Sequence, residues 1–486
     1  MQYIAGRWKS VIALCIAGVI VGTPMYTAVR AIREPLAVDD VGWKRTFGGP
    51  ETEWGHSVAE TADGGYIIAG DTHTDVWLIK TDGQGVMEWN RTYGGSYRDR
   101  GWSVQPTRDG GYIIAGEKGG GADRQDDVWL IKTDGQGIME WNRTYGSSLY
   151  DGARSVMQTL DGGYILVGWK DAYYRQGDIW LIKTTADGGM TWNTTIGGAG
   201  RDLGYAICPS HDNGYMVAGF VAGEGGCLIK IDGQGSQEWR ISYADEISAV
   251  QPTVDGGYIL TGSVNQGGPP YAHTDMLLVK TDSEGSVQWQ RSFGTFHYEH
   301  GQSVVQTSDG GFLLAGHTVA VRTTQHTGSL YDVWLIKTDG EGDEQWMKRL
   351  GGSHYEHVSA VIQDSDDTYL LVGDTYSYGA GGYDVWLVKT GVPEVTIEVD
   401  GIWNGCTVAN TGERDLADVS WSIDVDGMVL FGGHTAGTID LLPAGETATI
   451  GMGFTFGFGP VRMVITAAET AAIVPYFLIG NIIVAV

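Results

Sequence analysis

Three features of the sequence predict an all-β fold built from repeats. A phrase close to DGGYIIAG returns seven times, at intervals of 43 to 57 residues. A second phrase, close to DVWLIKTD, also occurs seven times, and each copy divides into four short strand-like pieces separated by Asp-Gly and Gly-Gly turns. Four strands per repeat at this period are typical of a propeller blade, so the sequence predicts a seven-bladed β-propeller of four-stranded blades.

The four pieces of each copy support strands rather than helices. In the first copy they are HSVAET, GYIIAGD, DVWLIKT and VMEWNRTY. The third piece is apolar on both faces, as a strand covered by neighbouring blades should be. No copy has the apolar period of a helix, which argues against helical and leucine-rich solenoids. The lysine that closes the third piece, Lys80 in the first copy, is expected to pair with an acid or to extend along the surface at the end of the ring opposite the long loops.

The two ends of the array predict how the ring closes. The fourth piece carries a Trp in six copies, but the chain leaves the pattern after Lys389 without a seventh. The missing piece, VGWKRTFGG with Trp43, precedes the first full copy. An open ring would expose two sheet edges to unwanted pairing. We therefore predict that the N-terminal strand containing Trp43 completes the last blade.

The acidic balance of the chain excludes nucleic acid as a partner. There are 59 Asp and Glu against 31 Lys and Arg, a net charge of −28, whereas phosphate binding needs a basic surface. The charge is interpreted as a solubilising surface, with cation binding as the alternative. Ca²⁺ is the one metal considered, but it takes about six to eight oxygen ligands and no D-x-D-x-D-G loop is present. No cofactor is predicted.

Common catalytic motifs are absent from the sequence. There is no P-loop, nucleophile elbow or HExxH helix. The cysteines are too scattered for a zinc site or a disulfide framework, and they are Cys15, Cys208, Cys227 and Cys406. The sequence therefore favours a binding protein over an enzyme.

The segments outside the repeats predict export and a second domain. Arg7 and Lys9 precede an uncharged run at 10–29, so residues 1–38 are interpreted as a signal peptide or an N-terminal membrane anchor. Either reading places the protein outside the cell or at its surface. Residues 39–391 are assigned to the propeller and 392–486 to a small β-sandwich. The closing run AAIVPYFLIGNIIVAV is interpreted as a last strand, because it is short for a bilayer span and contains Pro475 and Asn481.

Two motifs carry a resemblance to known families. TDGQGVMEW, at 81–89, is similar to the tryptophan-docking motif of quinoprotein blades, with shorter spacings. TADGGMTW, at 185–192, matches the Asp-box pattern S/T-x-D-x-G-x-T-W. The chain thus resembles secreted prokaryotic seven-bladed propellers, the group that includes quinoprotein-like and BNR/Asp-box repeats. Both motifs are structural in those families, so the resemblance implies a fold and no catalytic residue. The segment from about Gly391 onward resembles the immunoglobulin-like sandwich modules of exported proteins.

Candidate functional residues lie on one rim of the predicted ring. The loop between the second and third strands varies in length from copy to copy, and function usually sits on such loops. An acid precedes each innermost strand at the same rim: Glu53, Asp99, Asp151, Asp202, Asp245, Glu299 and Glu356. A further acid opens the third strand in every copy except the fourth, which has Gly225: Asp75, Asp127, Asp178, Asp275, Asp332 and Asp384. These acids either accept hydrogen bonds within their own blades or form a ring of carboxylates that binds a ligand.

Aromatic residues accompany the rim acids. They suit sugar rings, by stacking, or protein partners, by offering a large contact area; the alternative is packing between neighbouring loops. The set is Trp54, Tyr97, Trp102, Tyr150, Tyr173, Tyr174, Tyr271, His273, Tyr298, His300, Tyr331, Tyr355, His357, Tyr376, Tyr378 and Tyr383. Among these, Tyr173, Tyr174, Tyr271 and Tyr378 are the predicted ligand contacts, together with the seven acids that precede the innermost strands.

Three Asn-x-Thr sequons are potential glycosylation sites. Each follows the Trp of an outermost strand, so strand alternation should turn the Asn to solvent when the Trp points inward. The three are Asn90, Asn142 and Asn193.

Taken together, these residues predict an exported cell-surface binding, adhesion or scaffold protein that recognises a glycan or a protein through the variable-loop rim. It would touch a membrane only through an N-terminal anchor. The alternatives are a carbohydrate-active enzyme, which needs a pair of rim carboxylates about 5–10 Å apart, and a purely structural envelope component.

Overall fold

The structure of the protein is a computed structural model. It describes residues 42–120, 125–173, 176–266, 273–295, 297–320, 330–365, 368–391, 395–398, 405–410, 416–431, 434–442, 446–451, 456–467, 470–480 and 482–485. The predicted signal peptide or anchor at 1–38 lies outside these residues. In the parts of the chain that the structure does describe, no helix is long and apolar enough to cross a membrane.

The propeller part of the chain consists of short antiparallel strands, beginning with β1 (Trp43–Phe47). Blade one contains β2 (Trp54–Glu60), β3 (Tyr66–Asp71), β4 (Val76–Thr81) and β5 (Met87–Tyr93). Blade two contains β6 (Arg100–Pro106), β7 (Tyr112–Lys118), β8 (Asp127–Thr133) and β9 (Met139–Tyr145). Blade three contains β10 (Tyr150–Gln158), β11 (Tyr164–Tyr173), β12 (Gln176–Thr184) and β13 (Met190–Ile196). Blade four contains β14 (Leu203–Pro209), β15 (Tyr215–Val221), β16 (Gly225–Ile231) and β17 (Gln237–Ala244).

The remaining blades follow the same order. Blade five contains β18 (Glu246–Pro252), β19 (Tyr258–Gln266), β20 (His273–Thr281) and β21 (Val287–Phe293). Blade six contains β22 (His300–Gln306), β23 (Phe312–Ala320), β24 (Leu330–Thr338) and β25 (Glu344–Leu350). Blade seven contains β26 (Glu356–Gln363), β27 (Tyr369–Thr375) and β28 (Asp384–Thr390). Within each blade the strands pair in chain order, from the innermost strand outward.

The fourth strand of blade seven is β1, which confirms the predicted ring closure. β1 pairs antiparallel with β28, so that Trp43 lies opposite Lys389 and Phe47 opposite Val385. Innermost strands of consecutive blades are neighbours around the whole ring, including β26 with β2. The chain is therefore a closed seven-bladed β-propeller of four-stranded blades.

The apolar core lies between blades rather than within them. Ile67 and Leu78 of blade one are fully buried, and they pack in one cluster with Ile114 and Trp129 of blade two. Every residue of β4 is buried, because the faces of this strand are covered by the blades on either side. This is why the third piece of each copy is apolar at consecutive positions rather than at alternate ones.

The outermost Trp of each blade packs against the next blade. Trp89 lies against Tyr112, with ring centroids 6.1 Å apart, and against Gly137, which has a φ of +71°. A Cβ on Gly137 would meet the Trp89 ring at 2.6 Å. Trp43 makes the same two contacts across the closure, with Tyr66 and Gly85. The glycine of the D-G-x-G turn is therefore required both by its backbone conformation and by the indole above it.

The lysine at the end of each third strand is buried, and its ammonium group is paired with an acid. Lys80 is 3% exposed and its Nζ lies 2.9 Å from both Asp63 and Glu88. The aspartate of the D-G-G-Y turn plays the same part in the next five blades. In blade seven Lys389 pairs with Asp364, at 2.7 Å. The expected pairing at the opposite rim is thus confirmed.

The C-terminal segment forms two further sheets. One contains β29 (Val395–Glu398), β30 (Gly405–Asn410) and β33 (Thr447–Gly451). The other contains β31 (Leu416–Phe431), β32 (His434–Leu442), β34 (Phe456–Ala467), β35 (Thr470–Gly480) and β36 (Ile482–Ala485). The closing apolar run thus forms the strands β35 and β36, which pair with each other. The immunoglobulin-like assignment of this segment stays a prediction.

The second of these sheets continues blade six outward. Met347 and Lys348 of β25 pair with Ala471 and Thr470 of β35. Both β25 residues are buried, at 3% and 4% exposure, whereas the corresponding Asn90 of blade one is exposed. Blade six is therefore the attachment point of the C-terminal segment.

Candidate functional site

The acids that precede the innermost strands hold the rim loops together. Asp151 accepts hydrogen bonds from the Ser147 N–H (2.5 Å) in the incoming connection and from the Asp171 N–H (2.7 Å) in its own blade. Its own N–H donates to the Asp126 carbonyl of the preceding blade (2.7 Å). One residue thus connects three chain segments. Asp202 repeats the arrangement with the Gly198 and Ala222 N–H groups (2.8 and 2.6 Å).

Six of the seven acids are buried, at 8% exposure or less: Glu53, Asp99, Asp151, Asp202, Glu299 and Glu356. Burial raises the pKa of Glu299, against the hydrogen bonds that Thr295 and Thr318 donate to it. Asp245, in the copy that lacks the Gly-Gly turn, is exposed and accepts from the Asn265 N–H (2.6 Å). Because N–H groups already occupy the carboxylates, a ligand on this rim would meet the loops that the six buried acids support.

The acids that open the third strands fit against glycines of the inter-blade connection. A Cβ on Gly94 would overlap the Asp75 carboxylate, and the same holds for Gly146 with Asp127. In blade four the strand opens with Gly225, and the following connection SYADE contains no glycine. The acid and the glycine are therefore lost together, which identifies them as one packing unit.

A second set of rim residues differs between blades, although the repeats are otherwise closely alike. Register places the residue after each rim acid opposite the residue after the glycine of the second strand. The pairs are Trp54–Asp71, Arg100–Glu117, Gly152–Trp169, Leu203–Phe220, Glu246–Ser263, His300–His317 and His357–Asp374. Two residues further along the innermost strands come His56, Trp102, Arg154, Tyr205, Ser248, Gln302 and Ser359. We call these three positions of the seven blades the channel mouth, because innermost strands line the centre of a propeller.

Blades one to three contribute a mixed aromatic and charged half of the channel mouth. His56 lies 2.7 Å from Asp71, and its ring is 4.1 Å from that of Trp102. Trp102 and Arg100 both donate to Glu117, at 2.5 and 2.8 Å. These contacts join neighbouring blades side by side around the centre.

Blades four to seven contribute a half that is rich in histidine. Glu246 lies 3.1 Å from the Nε2 of His300, and this hydrogen bond lowers the pKa of Glu246. His300 stacks on His317, with centroids 5.6 Å apart, and His317 meets His357 edge-on at 5.9 Å.

The pKa values of His317 and His357 are shifted in opposite directions. Burial lowers the pKa of His317 to about 3, and the neighbouring His300 and His357 add to the effect. Burial is the largest influence on His357 and opposes its charge, but the hydrogen bond to Asp374 (3.1 Å) and the charges of Asp374 and Glu356 together raise the pKa of His357. At neutral pH His317 is therefore uncharged.

An aromatic patch extends from this half onto the rim of blades six and seven. Tyr331 lies 6.0 Å from His357 and 6.2 Å from Tyr355. Tyr383 stacks on His357 at 6.0 Å and meets Tyr376 at 5.2 Å. Tyr376 is 44% exposed. The patch therefore presents aromatic surface to solvent beside the channel mouth, most of all at Tyr376.

The predicted tyrosine contacts fall in different places. Tyr378 is 40% exposed; it stacks on Trp386 at 5.9 Å and donates to the Gly351 carbonyl at 2.7 Å. Tyr174 and Tyr271 lie outside the described residues, and Tyr173 ends β11. Within the described ranges, no three His, Cys, Asp or Glu side chains are grouped as a metal site.

The sequon asparagines are exposed, as expected from strand alternation. Each also accepts a hydrogen bond from the indole N–H of a neighbouring third strand. Asn90, Asn142 and Asn193 accept from Trp77, Trp129 and Trp180 at 3.2, 3.2 and 3.1 Å. In blades six and seven Met347 and Lys44 replace the Asn, and among the described residues the indole N–H groups of Trp334 and Trp386 have no partner. The Asn thus has a structural role besides any glycosylation.

Sequence reasoning identified part of the channel mouth and missed the rest. Trp54, Trp102, His300 and His357 are among the predicted rim aromatics, but the paired second-strand residues are not. A readable signal existed: the residue after the glycine in YIIAG-like strands is Asp, Glu, Trp, Phe, Ser, His and Asp in successive copies. A position that holds six different residue types in seven copies of a near-identical repeat indicates a role outside the scaffold.

Comparisons with known proteins add little on function. No protein-family model matches the chain. The regulatory protein FlaEY of Caulobacter vibrioides is 26% identical over 201 residues, which cover 36% of this chain and 20% of FlaEY. The chain thus matches a fifth of the length of that relative.

Solved structures with a similar fold have low sequence identity to the chain. The Pan2 WD40 domain of Neurospora crassa is 10% identical, with a TM-score of 0.47, over 74% of this chain and 98% of that domain. A protein from Lactobacillus plantarum is 9% identical, with a TM-score of 0.44, over 82% of this chain and 99% of its own. A glucose dehydrogenase is 12% identical, with a TM-score of 0.38, over 72% of this chain and all of its own. At these scores none of them bears on what this chain binds.

Proposed function

We propose that this protein is an exported binding or scaffold protein of the cell surface, and that its ligand meets the channel mouth and the adjoining variable rim. The observation that carries the proposal is the contrast between scaffold and mouth. Turn residues, buried lysines and docking tryptophans recur from blade to blade, while no two blades have the same set of three mouth residues. A rigid frame that presents varied side chains at one end is the usual arrangement of a binding surface.

The chemistry of the aromatic patch favours a carbohydrate ligand over a protein. Tyr331, Tyr355, Tyr376 and Tyr383 form consecutive ring contacts beside His357. Sugar rings present C–H faces that stack on such rings and hydroxyls that pair with polar side chains. The core of a protein–protein interface is depleted of charged residues, whereas one half of the mouth carries several of them.

The carbohydrate-active enzyme is the less favoured alternative. It needs one carboxylate that is free to act as base or nucleophile. The mouth carboxylates are engaged, Asp71 by His56 and Glu117 by Arg100 and Trp102. Glu246 and Asp374 are likewise held by His300 and His357. Burial also raises the pKa of Tyr205, which opposes its use as a nucleophile.

The proposal is tested with carbohydrate and peptide arrays probed by the purified protein. We expect binding to a restricted set of glycans, and a loss of about tenfold or more in affinity for the double variant Tyr376→Ala and Tyr383→Ala. Leu160→Ala is the matched control, because Leu160 is 81% exposed in a D-G-G-Y turn at the opposite rim. Glycan binding that survives in the double variant would contradict the assignment of this face. Turnover of a glycan would favour the enzyme, and self-association without any soluble ligand would favour the envelope component.

A further inference from the structure

Arg154 occupies an unusual position in the channel mouth. It lies on β10, and its guanidinium carbon is 3.6 Å from the centre of the Trp102 ring of the preceding blade. The Trp169 ring of its own blade lies 5.5 Å from the same atom. The guanidinium group is therefore held against two indoles, in a fixed place, by cation–π contacts.

One hydrogen-bonding group of this guanidinium is unused among the residues that the structure describes. Its Nε is buried and has no hydrogen-bond partner in the described part of the chain. Glu117, whose charge acts on Arg154, already accepts from Trp102 at 2.5 Å and from Arg100 at 2.8 Å. Burial lowers the pKa of Arg154, and the nearby Glu117 only partly compensates.

An unpaired arginine Nε, as seen in the described part of the chain, is uncommon in so acidic a protein. The net charge is −28, and the neighbouring Arg98 and Arg100 each have a carboxylate, Asp71 at 3.4 Å and Glu117 at 2.8 Å. Glu117 and Glu246 act on Arg154 through their charges, but its Nε has no hydrogen bond within the described residues. A partly buried cation with an unpaired N–H donor is destabilising. An anion supplied by a ligand would remove that cost.

We propose that Arg154 binds the carboxylate of an acidic sugar in the ligand of the channel mouth. This inference rests on the proposed carbohydrate-binding function. A guanidinium presents parallel N–H donors that match a carboxylate in a bidentate pair. The negative charges of Glu117 and Glu246, which act on Arg154, disfavour a ligand of higher charge, such as a phosphate dianion.

The test compares tetragalacturonate with its fully methyl-esterified form, in which each carboxylate is replaced by a neutral methyl ester on the same sugar chain. Calorimetry with the purified protein should show binding of the acid, and about tenfold or more weaker binding of the ester, because hydrogen bonds to charged groups are the stronger ones. Arg154→Gln should remove that preference, and Arg154→Lys should restore part of it. Arg143→Gln is the control of equal charge change, since Arg143 is exposed on an outermost strand.

Each outcome separates this inference from the proposed function. Equal affinity for acid and ester, or an Arg154→Gln variant that still prefers the acid, would overturn it. If the Arg154→Gln variant does not fold, the salt dependence of binding by the wild-type protein is the test. Tetragalacturonate binding should weaken between 50 and 500 mM NaCl, roughly the range over which surface charge is screened. Binding that stays unchanged over this range overturns the inference. Neutral glycans that bind when tetragalacturonate does not would overturn it and leave the proposed function intact. No glycan binding at all would overturn both.

Discussion

Replacing Gly85 with Ala tests the closure of the ring. Gly85 has a φ of +71°, and an added Cβ would overlap the ring of Trp43 on the closing strand. Gly64 has a φ of +78° but would meet nothing within 4 Å, and Gly49 has neither constraint. The three alanine variants therefore separate backbone strain from the inter-blade contact.

The expected losses of stability follow from backbone strain and from the contact between blades. A left-handed conformation costs a non-glycine residue about 1–2 kcal/mol, which is the expectation for Gly64→Ala. Overpacking against the indole adds about 1–3 kcal/mol, so Gly85→Ala should lose about 2–5 kcal/mol of the free energy of unfolding. Gly49→Ala should stay within about 0.5 kcal/mol of wild type.

Urea denaturation followed by tryptophan fluorescence measures these differences. Adding Trp43→Leu to Gly85→Ala should recover part of the loss, because the smaller side chain relieves the overlap; the double-mutant cycle gives that coupling directly. Equal losses for Gly85→Ala and Gly64→Ala, with no coupling to Trp43, would refute the docking of the closing strand on blade one.

Three further predictions concern the scaffold. The Thr61 hydroxyl, together with Lys80, holds the pKa of Asp63 at about 2, and the pKa values of Asp109, Asp161 and Asp255 are also about 2. The stability that these carboxylates contribute is present above their unfolded pKa of about 4 and is lost as pH falls toward 2. The urea midpoint should therefore drop over that interval, and a flat profile would contradict the pairing. Gly94→Ala should destabilise the protein by about 1–3 kcal/mol, because the added Cβ overlaps Asp75. The double variant Asp75→Gly and Gly94→Ala, which imitates blade four, should recover most of this loss. Additive losses in thermal unfolding would be evidence against a packing unit. Asn90→Ala should lower the free energy of unfolding by about 1–3 kcal/mol, because it leaves the Trp77 indole N–H unpaired. Thr92→Ala removes the same sequon without that loss and serves as the control. Equal melting temperatures for the two variants would rule out a structural role for Asn90.

The scaffold was predictable from sequence because repetition reveals it. Seven copies of the same turns and of the buried third strand indicate the blades, and the lone Trp43 strand indicates how the ring closes. The pairing of Lys80 was also predictable, since a lysine that recurs at the end of a buried strand needs an acid nearby.

The candidate site was less predictable because it depends on register and loop geometry. No pattern in the sequence tells whether Glu299 faces solvent or turns inward to the Thr295 N–H. The pairing of His300 with His317 follows only once the alignment of β22 with β23 is known. The attachment of β35 to β25 was likewise hidden, although EQWMKRL departs from the MEWNRTY of the first blades.

Hydrogen–deuterium exchange with a bound glycan tests the central claim most directly. For the strongest glycan of the array, we expect protection at the rim ends of β6, β10, β22 and β26 and in the loop at 376–383. The D-G-G-Y turns of the opposite rim should exchange as in the free protein. Protection confined to that opposite rim, or to the C-terminal sheets, would contradict the assignment of the channel mouth as the binding surface.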